Sequence, residues 1–176
     1  LRSLYFLPLV VSGVVVALVM EWIFNGDFGV LNNLLHTLGL PRVPWLTSPS
    51  WAMFTLVVAI VWGRIGFCMV IYLAALQNVP TSLVESSTLD GASRWQQFRF
   101  VTFPLLRPTT FMLLVVNVVF SLQVFDVIYV LTGGGPGFAT TVLLQAIFRA
   151  AFTEGEMGYA SAIGMVLTAI LLVFTL

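Results

Sequence analysis

Between Val84 and Pro104 the chain runs VESSTLDGASRWQQFRFVTFP, a polar island flanked by two apolar runs. A helix that crosses a bilayer needs roughly 20 mainly apolar residues. Four stretches reach or approach that length: Tyr5–Phe24, Trp51–Leu76, Leu105–Leu131 and Tyr159–Leu176. Hydrocarbon offers no hydrogen-bond partner to the backbone, so runs of this length are read as helices. The expected fold is all-α, a polytopic transmembrane helical bundle with about four spans. An island between two spans must be a solvent-exposed loop, and this one carries helix and turn signals that a passive connector does not need.

Composition agrees. The 176 residues are 60% hydrophobic and 8% charged, and mean hydropathy is +1.06, whereas soluble domains have about 25% charged residues. All seven basic residues are Arg, balanced by seven acidic ones, so no basic field exists to hold nucleic acid. Without Lys there is no Walker A loop, whose Lys must reach the phosphates. Cys68 is the single cysteine and lies in an apolar run, where a packed thiol is expected. His36 is the single histidine, with no cluster to make a metal site. The chain begins at Leu1 and its last apolar run is still in progress at Leu176, which reads as part of a longer protein.

Arginine placement suggests sides. Arg94, Arg99 and Arg107 lie in or beside the island, and Arg2 precedes the first span on the same side; only Arg42 and Arg149 occupy the opposite intervals. Positive residues favour the cytoplasm, so residues 77–104 are expected inside and the loops 25–50 and 132–158 outside. Trp22, Trp45, Trp51 and Tyr129 then fall near outer span ends, where aromatic rings favour the interface. Short helices are expected from Val30 to Leu38 and around Leu143–Phe152. The Gly133–Gly135 run with Pro136 reads as the turn that ends the third span.

Within the island, Pro80 ends the preceding helix, because the residue before a proline is pushed out of helical geometry. Ser82 with Glu85 and Ser93 with Gln96 both have the S-x-x-E/Q spacing of a capping box. Gly91 is placed to close the first short helix in a left-handed conformation. Trp95 and Phe98 share a face of the second, which is expected to end before Pro104. An amphipathic loop resting on the bilayer would have much of the same pattern.

The stretch resembles the EAA loop of binding-protein-dependent ABC importer permeases. That pattern is EAA, three residues, G, nine residues, I-x-L-P; here it reads Glu85-Ser86-Ser87, three residues, Gly91, nine residues, Val101-Thr102-Phe103-Pro104. Both alanines are Ser, and I-x-L is V-x-F. Leu73–Pro80, Phe125–Pro136 and Gly158–Ala162 are similar to the carbohydrate-uptake branch, to the first permease subunit of glycerol-3-phosphate and maltose systems. The resemblance implies a type I importer permease, one or two of whose N-terminal spans are missing here, in the cytoplasmic (inner) membrane of a prokaryote. Its implied partners are a second permease subunit, two cytoplasmic ATPase subunits that bind ATP and Mg, and an extracytoplasmic solute-binding protein near residues 132–158. No cofactor belongs to the chain itself, and no catalytic role. Glu85 would be the polar contact to the ATPase, Ser86 and Ser87 would permit close approach, and Gly91 would set the turn. Asp90, Ala92, Trp95, Phe98 and Pro104 complete the loop.

Charged groups at membrane depth are costly and face a cavity or a partner. Arg64 falls near the middle of the second span and Asp126 about a turn and a half from the outer end of the third. Helical geometry would put Gln123 and Asp126 on one face of that span and Asn117 and Ser121 on another. These five residues either line a path for a sugar, polyol or glycerol phosphate, or link helices. The alternative reading is a secondary transporter in which Arg64 and Asp126 form an ion or proton relay. Ala160, Gly164 and Thr168 form a small-residue stripe suited to close packing. No HExxH, Ser/His or paired-Asp pattern supports an intramembrane enzyme.

Overall fold

The computed structural model describes residue 8 and residues 10–175, all of them helix, turn or loop with no strand among them. In chain order the helices are α1 (Gly13–Phe24), α2 (Val30–Thr37), α3 (Pro49–Gln77), α4 (Thr81–Leu89), α5 (Arg94–Gln97), α6 (Phe103–Leu122), α7 (Asp126–Leu131), α8 (Leu143–Phe148) and α9 (Met157–Thr175). Two wide π-helical turns, Phe98–Thr102 and Arg149–Thr153, join α5 to α6 and extend α8.

Three helices are long and apolar enough to cross a membrane: Pro49–Gln77, Met157–Thr175, and the continuous run Arg94–Leu122. Their most apolar windows are only 17%, 11% and 11% buried within the chain. In water such exposure would be untenable; a bilayer or a neighbouring subunit must cover it.

Two of the four expected spans are corrected. The first, Tyr5–Phe24, is represented by a helix of 12 residues that starts at Gly13, with Ser12 as its cap; residues 1–7 and 9 lie outside the described ones. The third does not reach Leu131: the helix stops at Leu122, and a break at Gln123–Phe125 precedes the separate helix α7. Gln123 and Asp126 therefore do not share a helical face. The helix expected to end before Pro104 also runs on. Pro104 has no N–H for the Phe100 carbonyl and its ring crowds that group. The wide turn Phe98–Thr102, with Phe103 N–H donating to Phe98 O, carries the helix past it.

The chain forms two compact units, residues 1–66 with 119–176, and residues 67–118. In the first, Ala17, Met20 and Phe24 of α1, Leu56 and Ala59 of α3, and Val127, Ile128 and Leu131 of α7 form the core. Ala17 and Ala59 are fully buried, so small side chains let these helices approach closely. Asn32 organises the loop 25–50 from a site 1% exposed. Its amide donates to Gly26 O and Val43 O, and its oxygen accepts from Val43 N–H and Trp45 Nε1. Trp45 packs edge-on against Phe24 and Trp51, while Trp22 and Tyr129 stay exposed. A smaller cluster joins Ala150 and Ala151 to Ala160 of α9. Among the described residues, only Ala160 of the small-residue stripe packs inside the chain; none of them approaches Gly164, and Thr168 is exposed.

In the second unit polar contacts link α3 to α6. Tyr72 Oη donates to Thr110 Oγ1 at 3.1 Å. Asn117 Nδ2 donates to Leu113 O at 2.7 Å and to Cys68 Sγ at 3.4 Å. The lone cysteine is thus a packed, hydrogen-bonded thiol.

Candidate coupling loop and intramembrane polar residues

The loop between α3 and α6 is a two-helix hairpin without a buried residue. Its first helix starts at Thr81 with Pro80 as the cap residue, and no side chain caps it. Ser82 therefore sits inside the helix, and the expected Ser82–Glu85 capping box does not form. Proline supplies the start by its fixed φ, which needs no side-chain acceptor. Glu85 projects into solvent without a hydrogen bond to any described residue. Three hydroxyls in a row turn back on their own helix: Ser86 to Leu83 O, Ser87 to Val84 O and Thr88 to Val84 O, at 3.1, 2.7 and 2.9 Å. That leaves a surface of small, internally satisfied groups around one free carboxylate.

The turn forms as its sequence dictates. Asp90 is the last helical-type residue, and Gly91 takes φ +78°. Gly91 N–H donates to Thr88 O and Ala92 N–H to Ser87 O, the two bonds of a Schellman cap. None of the described residues lies within 4 Å of a Cβ placed on Gly91, so backbone conformation, not space, demands glycine there. Ser93 and Gln96 form the expected capping box. Gln97, which sequence reasoning missed, donates to Thr88 Oγ1 at 2.9 Å and Ala92 O at 3.2 Å, fastening α5 to α4. Its only advance signal was a second amide beside the capping glutamine. The Trp95 and Phe98 rings lie 5.7 Å apart, and Leu89, Trp95 and Phe100 are 90%, 69% and 73% exposed. Pro104 is half-buried at the start of α6.

The five intramembrane residues divide. Arg64, half-buried, places its guanidinium 3.9 Å from the centre of the Phe120 ring, a cation–π arrangement that compensates a charge removed from water. Asn117 links helices, as above. Ser121 and Gln123 are exposed near the end of α6. Asp126 opens α7 beside the start of α1: a methyl group on Gly13 would lie 3.3 Å from Asp126 Cβ and 3.4 Å from Oδ2. Glycine there lets the carboxylate approach the positive end of α1.

The whole chain, residues 1–176, matches the family described as the binding-protein-dependent transport system inner membrane component. It is 40% identical to a probable ABC transporter permease protein of Brucella suis biovar 1, over 99% of this chain and 61% of that protein. It is 38% identical to the trehalose/maltose transport system permease protein MalF of Thermococcus litoralis, over 100% and 59%. Identity to the sulfoquinovosyl glycerol permease SmoG of Agrobacterium fabrum is 37%, over 93% and 52%. The chain thus covers less than two thirds of each relative's length. The fold superimposes with a TM-score of 0.89 and 32% identity on a chain of a bacterial ABC transporter that imports the acidic polysaccharide alginate, covering 98% of this chain and 61% of that one. Loop, spans and matches agree: the chain belongs to the binding-protein-dependent transport system inner membrane components, the permeases of ABC importers.

Proposed function

We propose that this chain is part of the permease that carries a sugar, polyol or glycerol-phosphate-type solute across a prokaryotic cytoplasmic membrane, driven by ATP hydrolysed on other subunits. The observation that carries the coupling role is the α4–α5 hairpin. It is rigidly tied by Gly91, Ser93 and Gln97, yet buries nothing of its own and exposes Leu89, Trp95 and Phe100. A stiff, unburied, apolar lever between two spans suits a cleft on an ATPase, with Glu85 as the polar contact and Ser86 and Ser87 against the partner's surface. A loop that merely rested on lipid would need no such tie. The sugar class is supported by the names of the relatives, which include a trehalose/maltose and a xylose/arabinose permease.

On this reading residues 77–104 face the cytoplasm, and loops 25–50 and 132–158 face outward toward a solute-binding protein. A second permease subunit covers some of the exposed apolar surface. Arg64, Asn117, Ser121, Gln123 and Asp126 are proposed to border the solute path. The relay reading gains nothing from Asp126, which sits against the start of α1.

The test is solute-stimulated ATP hydrolysis and uptake by the complete transporter in proteoliposomes, with Gly91→Val and Gln97→Ala variants. Both should assemble in the membrane and lose coupled uptake. Full uptake by Gly91→Val would sink the coupling role.

A further inference from the structure

After α7 the chain folds into a knot of glycine and threonine. Thr132 and Thr140 share a hydroxyl hydrogen bond at 2.7 Å, Thr140 also donates to Gly135 O, and Thr141 donates to Gly134 O. Gly133, Gly134 and Gly137 all have positive φ. A Cβ on Gly134 would come within 2.8 Å of both Gln145 Oε1 and Thr141 Oγ1. The bare backbone therefore lets the Gln145 amide lie flat against the turn.

Beside this knot opens a pocket of about 200 Å³, bordered by Tyr129, Phe138, Thr141, Gln145, Phe148 and Arg149 among others. Its size falls below the ~300 Å³ from which drug-sized ligands are held. At ~30 Å³ for each water it has room for one six-membered ring and not for a chain of them. The walls are of two kinds. Tyr129 and Phe138, 51% and 70% exposed, offer aromatic surface to the C–H face of a ring. Arg149 lies 4.8 Å from the Phe138 ring centre and commits its Nε to Glu154 at 3.2 Å. The terminal guanidinium nitrogens remain as donors, with their charge already balanced, which favours a hydroxyl over an anion. Gln145 is 8% exposed, and its amide oxygen meets no donor among the described residues. A buried acceptor of that kind is stabilised by a hydroxyl donor.

We propose that this pocket is a subsite for one neutral pyranose ring at the outer mouth of the permease, separate from the polar residues of α3 and α6. The proposal rests on the sugar-importer reading above. It is tested with the complete transporter in nanodiscs, without its solute-binding protein, carrying 4-fluorophenylalanine at position 138. Titration with methyl α-glucoside should give a saturable change in the fluorine resonance. Gln145→Leu and Arg149→Met, introduced separately, should each weaken it at least tenfold, and retained ATP hydrolysis shows that the variants are assembled. No change in the resonance, or a response in both variants as tight as in the unsubstituted protein, would each overturn the subsite. A silent resonance in particles that hydrolyse ATP sinks the subsite alone. A saturable response in particles that bind no ATPase supports the subsite and counts against the importer reading.

Discussion

Gly91 and Asn32 are single residues on which whole loops depend, for opposite reasons. Gly91 is exposed and crowded by nothing, but its φ of +78° is left-handed. A side chain there costs about 1–2 kcal/mol. Replacement with Val should reduce the population of the formed hairpin by a factor of about 5–30, read as faster hydrogen exchange of the Ala92 and Asp90 amides. Asn32 is buried and makes four hydrogen bonds. Asn32→Ala strands two donors and two acceptors in the loop 25–50, a loss on the order of 2–4 kcal/mol. A lowered Tm of the detergent-purified complex, together with new proteolysis between Gly39 and Ser48, would report it. The role of Gly91 was legible because a helix stop followed by glycine is a local signal. That of Asn32 was not, because its partners Val43 and Trp45 are brought near only by the loop's own fold.

At the scale of the element, the wide turn before Pro104 matters most. Phe98–Thr102 accommodates one extra residue, so α5 and α6 join into a run of 29 residues although two prolines lie within it. Pro104→Ala restores an N–H that Phe100 O can accept. The turn should then tighten to a regular helix and rotate the hairpin by about 100° relative to α6. Spin labels at positions 85 and 110 should register a changed distance, and coupled uptake should fall with it. An unchanged distance would show that the turn has another cause. The sequence pattern located both prolines but implied a helix end, since it carries no sign of a wider turn. The break at Gln123–Phe125 was hidden similarly: the apolar run continues through it, and only packing of Val127, Ile128 and Leu131 against α1 and α3 sets α7 apart.

For the molecule as a whole, exposure of apolar helix surface is the dominant property. Little of each long helix is buried within the chain itself, so the protein is expected to stay monodisperse only in lipid or detergent. Sidedness rests on four arginines against two, and is directly testable. In a Cys68→Ser background, cysteines at Leu89 and Trp95 should react with an impermeant maleimide only from the cytoplasmic side, and one at Phe138 only from outside. Labelling of all three from one side would reject the topology and the coupling role together.

Hydropathy and spacing alone determined that the chain is an all-helical membrane protein, that a short helix turns at Gly91 into a second one, and that Ser93 and Gln96 cap the second. These depend on local rules: the bilayer's length requirement, the φ preference of glycine, and hydrogen bonds that span three residues. Only the tertiary structure decided where the helix after the island ends, that Asp126 lies against the start of α1, that Asn117 reaches Cys68, and that Gln97 ties the hairpin together. Each of these depends on groups distant in sequence or on competition between a proline and its neighbours, and an apolar run has the same appearance whichever way that competition resolves.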